Sequence, residues 1–136
     1  MLRRRGQALL VGSALLAALV VTGCGRDDFK NDPRPPVPAE VAVKISKSGV
    51  GISPEEFGAG LVNFTIANLT QVPGTLAIHG PVDADSNEIP AGAAETLKVE
   101  MKTGSYEASV DGIAVKPFSF TVGPERPSGQ NDLLLP

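Results

Sequence analysis

The sequence predicts a small all-β domain, an antiparallel Greek-key β-sandwich, placed after a signal peptide and a disordered linker. Three observations carry that expectation. Between residues 41 and 122 the apolar residues recur with period 2, the spacing of strands with one buried face. Turn-forming residues punctuate these runs at short intervals. No window sustains the 3.6-residue period of an amphipathic helix.

The strands follow in order. Val41, Val43 and Ile45 alternate with Ala42 and Lys44, and Val62, Phe64 and Ile66 with Asn63 and Thr65. Leu76 and Ile78 make a shorter strand. Leu97, Val99 and Met101 alternate with Lys98 and Glu100, and Tyr106, Ala108 and Val110 with Glu107 and Ser109. Phe118, Phe120 and Val122 alternate with Ser119 and Thr121, which points Phe120 inward with Phe118 and Phe64. Turn signals stand at Ser48-Gly49, Ser53-Pro54, Gly58-Ala59-Gly60, Pro73-Gly74, Gly80-Pro81, Pro90-Ala91-Gly92, Thr103-Gly104 and Asp111-Gly112. Pro54–Phe57 is compatible with a single helical turn. Short alternating strands at regular spacing fit two packed sheets.

The N-terminus has a different organisation. Arg3, Arg4 and Arg5 precede an apolar run from Ala8 to Val21, followed by Thr22-Gly23-Cys24. A charged segment, an apolar segment and small residues at the cut describe a secretory signal. The run is about 14 residues, short of the roughly 18–20 that span a bilayer. Gly6 and Gln7 stand where a twin-arginine signal would carry apolar residues, so general secretion is the expected route. The expected organisation is a signal peptide (1–23), a lipidated Cys and Pro-rich tether (24–40), a sandwich (41–122) and a flexible tail (123–136). Residues 25–40, GRDDFKNDPRPPVPAE, offer almost nothing to bury. In polyproline II, at about 3.1 Å per residue, they would reach roughly 40–50 Å.

Val21-Thr22-Gly23-Cys24 resembles the lipobox of bacterial lipoproteins. The resemblance implies cleavage after Gly23 and a diacylglyceryl thioether on Cys24. Cys24 is the sole cysteine, so no intramolecular disulfide can form. Two acyl chains anchor stably where one is marginal. The implied location is the cell membrane, lipid-anchored on its extracytoplasmic side.

Charge narrows the partners. Of 12 Lys+Arg and 15 Asp+Glu, three arginines and no acids lie in the signal, leaving nine against fifteen, a net −6. An acidic surface without a dense basic patch argues against nucleic acid.

Residues 41–122 are similar to cupredoxin-like domains in the order of their pieces. Val41–Ser46 stands as a first strand, and Gly60–Asn68 as the strand ending in Asn. Glu88-Ile89-Pro90-Ala91-Gly92 precedes Glu95–Met101, and Lys102–Glu107 matches the turn into the next strand. Immunoglobulin-like and other sandwiches share much of this pattern. Copper-binding members use two His, a Cys thiolate and usually a Met. Here Gly74 stands near the first His position. Between Tyr106 and Phe118 there is no Cys, His or Met. A blue-copper site needs a thiolate, so the resemblance implies a framework without metal or other cofactor.

Other constellations are sparse. His79, the one histidine, is expected to face outward with Thr75 and Ala77. Asp83–Glu88 opens like a calcium loop, but Glu88 and Ala94 stand where Gly and Glu are required, which favours a solvated acidic loop. Glu55-Glu56 and Asp27-Asp28 read as solvated charge rather than an acid–base pair. With one His and no free thiol, nucleophilic catalysis has little to draw on. The expected protein is not an enzyme. It is a non-catalytic binding or structural module of the cell envelope, held to the membrane through Cys24 and meeting an envelope protein or ligand. The alternative is an accessory role in copper or iron handling.

Overall fold

A computed structural model describes residues 35–128. The signal, the Gly23–Cys24 junction, Asp27-Asp28, most of the expected tether and the chain after Ser128 lie outside the described residues. Eight strands and no helix make up the described part: β1 (Ala39–Ser46), β2 (Gly49–Ser53), β3 (Glu56–Asn68), β4 (Thr75–His79), β5 (Ala84–Asp85), β6 (Ala94–Met101), β7 (Gly104–Asp111) and β8 (Phe118–Glu125). Ala39 and Glu40, from the expected tether, pair with Val62 and Asn63. Gly123 and Glu125, from the expected tail, pair with β3.

The architecture is all-β but the pairing is mixed, which corrects the purely antiparallel expectation. β1 pairs antiparallel with β2 and parallel with β3, and β6 pairs antiparallel with β3. On the other side β8 runs parallel to the start of β3, and β7, β4 and β5 follow antiparallel. The β1–β2 hairpin reverses the chain, and β3 reverses it again on the far side of β1, so β1 and β3 point the same way. Alternation reports a buried face and is blind to strand direction.

β3 belongs to both groups of strands. Residues 56–59 pair with β8, and residues beyond Gly60 pair with β1 and β6. The register shifts between Gly58 and Ala59, and Gly60 has φ +120°. The Gly58-Ala59-Gly60 signal therefore marks a bend within one strand, where a separating turn was expected. Arg126 occupies the space the glycines leave: a Cβ at Gly58 would lie 2.6 Å from its Cγ. Its guanidinium donates to the carbonyls of Gly58 (3.2 Å), Leu61 (2.6 Å) and Val37. Both ends of the described chain thus meet at one pole.

The core lies between the two groups. Val41, Val43, Ile45, Val62, Phe64 and Ile66 from one side meet Leu76, Ile78, Tyr106, Ala108, Phe120 and Val122 from the other. Tyr106 stacks on Phe120 with centroids 5.5 Å apart, and Phe57 lies against both Phe120 (5.8 Å) and Phe64 (6.1 Å). The Tyr106 hydroxyl donates to the Lys102 carbonyl and accepts from its N–H. Phe118 and Leu97 are only half-buried. Pro54–Phe57 forms no helical turn: Pro54-Glu55 is a bend, and Phe57 is drawn into β3 by its aromatic partners.

Candidate functional site

At the pole opposite Arg126, two loops gather around Asn68, the last residue of β3. Asn68 is fully buried. Its amide donates to the carbonyls of Val72 (2.8 Å), Ile89 (3.0 Å) and Pro90 (3.3 Å). Its Oδ1 accepts from the Thr70 N–H (3.0 Å) and hydroxyl (2.7 Å). Its backbone binds Ala93 and Gly92. One side chain therefore ties the Leu69–Pro73 loop to the Ile89–Ala93 turn. The network leaves Leu69 (60% exposed) and Val72 (48%) projecting outward. Leu69 and Val72 form an exposed apolar pair over this hydrogen-bonded base.

Gly74 lies beside this network, bridged to Ile89 by bonds of 3.1 and 2.8 Å. A Cβ there would sit 2.7 Å from Ile113 Cδ1 and 2.9 Å from Val110 Cγ1. The space beside Gly74 is thus closed off by hydrocarbon. Ile113 and Val115, from the loop after β7, pack against the core. No group of three or more His, Cys, Asp or Glu among the described residues is arranged to hold a metal ion. The purified chain, beginning at Pro33 so that the Arg126 contacts are kept, is expected to be colourless. It should retain no stoichiometric copper after dialysis, and excess Cu(II) should leave its Tm unchanged. One retained copper per chain, by metal analysis, would overturn this.

A second feature is an open groove of about 390 Å³ on the outer face of β4, β7 and β8. His79, Ser105, Glu107, Ser119 and Thr121 line it, with Tyr106 and Phe120 beneath. The ladder sets His79 opposite Glu107, and Glu107 opposite Ser119. Ser119 and His79 are separated by a whole strand, roughly 9–10 Å, too far for a nucleophile–base hydrogen bond. His79 is exposed as expected, 3.6 Å from Asp83. Ala77 differs from expectation: on the same outer face it is 1% exposed. Its methyl is too short to clear Asp85 and Ser109, which flank it on the neighbouring strands.

The Asp83–Glu88 segment is only partly a solvated loop. Asp83 accepts from the Gly80 N–H (3.2 Å). Ala84 and Asp85 pair with β4. Ser86 is buried, accepting from the Leu76 N–H and donating to the Asn87 carbonyl. Among the described residues the segment's carboxylates belong to no group of three that could hold a metal ion. Glu55 and Glu56 are both exposed at the start of β3. Sequence reading missed Arg126 and the buried role of Asn68; the Asn ending a strand was the one available signal. No family model matches the chain, and no curated protein matches its sequence.

Proposed function

We propose that this chain is a bacterial lipoprotein, anchored through Cys24 on the extracytoplasmic side of the cell membrane. Its β domain acts there as a non-catalytic binding or structural module of the envelope. The observation that carries this reading is the order of Arg3–Arg5, an apolar run too short to span a bilayer, and Val21-Thr22-Gly23-Cys24. The Leu69–Val72 surface supports a binding role, since it lies at the pole opposite the chain's entry.

In fold the domain is read as a cupredoxin-like Greek-key sandwich whose metal position has been filled. The arrangement β2-β1-β3-β6 against β8-β7-β4-β5, with β3 shared, supports that reading. The alternative role in copper or iron handling rests on the framework alone.

Fractionation of cells tests the anchor. Cys24→Ser is expected to move most of the protein out of the membrane fraction, because residues 25–136 contain no apolar run long enough to hold it. A variant that stays in salt-washed membranes would remove the main support of the proposal.

A further inference from the structure

β6 is hydrogen-bonded to β3 along one side and, among the described residues, to no strand along the other. The opposite edge of the same sheet, β2, is shorter, and its Val50 N–H already donates to the Lys116 carbonyl. Along β6, Val99 and Met101 point inward and are buried, and Leu97 beside them is half-exposed. Thr96, Lys98 and Glu100 face solvent on the outer side. An eight-residue edge of this kind is a template for another strand.

We propose that β6 pairs antiparallel with β6 of a second copy, about a twofold axis at Val99. Directly opposite residues of an antiparallel pair share a face and interact. Centred on Val99, Lys98 of each chain faces Glu100 of the other, so two opposite-charge pairs form. On the inner face Leu97 meets Met101, covering the one apolar side chain of this edge left half-exposed.

The neighbouring registers are worse. A centre at Lys98 opposes lysine to lysine, and a centre at Glu100 opposes glutamate to glutamate. A centre at Leu97 sets Val99 against Glu95 and gives Lys98 only Thr96. A lone lysine on an edge discourages pairing. Lys98 and Glu100 together convert that discouragement into a choice of register, attractive in one and repulsive on either side. The contact uses the same patch on both copies and closes, so it ends at a dimer.

The test uses the full chain, purified in detergent, with its monomer–dimer distribution measured by sedimentation across a concentration series. The chain is expected to dimerise with concentration. Lys98→Glu and Glu100→Lys should each weaken the dimer about tenfold. The double variant K98E/E100K should restore it, since the pairs reform with signs exchanged. Both sites are exposed, so Tm should stay near that of the parent, which separates lost pairing from lost folding. Mixing K98C chains with E100C chains should give a disulfide-linked dimer that neither yields alone. A chain monomeric throughout would overturn the proposal. So would a dimer indifferent to both single reversals, or a double variant no better than the singles.

Discussion

Phe120→Ala is expected to lower the stability of the domain by about 3–5 kcal/mol, the range for deleting a buried aromatic side chain. Phe120 is 5% exposed. It stacks on Tyr106 with an interplanar angle of 15° and lies against Phe57. Its removal opens a cavity that three separate strands would have to move to fill. Aromatic pairs add roughly 0.5–1.5 kcal/mol beyond their area, so the upper half of the range is expected. A domain this small holds a total of about 5–15 kcal/mol, so the variant should be partly unfolded near body temperature. Thermal unfolding followed by circular dichroism checks this, with a fall in Tm of roughly 15–30 °C expected. A variant melting within a couple of degrees of the parent would mean that Phe120 does not fill the interior.

Asn68→Ala should have an effect of similar size by another route. The variant removes five hydrogen bonds: the carbonyls of Val72, Ile89 and Pro90 keep only the Thr70 hydroxyl, the Gly74 N–H and the Ala93 N–H, and the Thr70 N–H loses its acceptor. Each lost bond costs about 0.5–1.5 kcal/mol, and a buried group left unsatisfied about 1–3 kcal/mol. Water entering the loosened loops would recover part of that, so a net loss of about 2–4 kcal/mol is expected. Asn68→Asp is the informative companion. It keeps the shape and the acceptor but, when ionised, cannot donate and sets a charge against three carbonyls. It should therefore be destabilised at neutral pH and recover as pH falls and its carboxyl gains a proton. Urea unfolding at two pH values reads this, and a loss independent of pH would argue against the donor role.

The strands built on three alternating apolar residues were legible because each puts one face in the core. β2 was not: Val50 and Ile52 supply only two apolar positions between two turn signals, and both are buried. The glycines at 58 and 60 were read as a boundary because glycine marks bends inside strands and turns between them alike. Strand direction was invisible, since parallel and antiparallel ladders bury the same alternation. Arg126 was beyond reach for a different reason. Its partners are main-chain carbonyls, which carry no residue signature, and they lie 65 to 89 positions away. At the candidate site, Gly74 is legible in the sequence as a turn residue after Pro73. That Ile113 and Val110 close the space beside it follows only from the fold.

The Arg126 clasp also bears on how the chain could be re-cut. Because the guanidinium reaches Val37, the first and last strands begin and end within one side chain's span of each other. A short linker could close the described domain into a ring without disturbing any strand pairing. The Ala91-Gly92 turn is exposed, and a Cβ at Gly92 would meet no atom within 4 Å. Opening the ring there would exchange the poles: a tether fused to the new terminus would present the Arg126 end outward and turn Leu69 and Val72 towards the support.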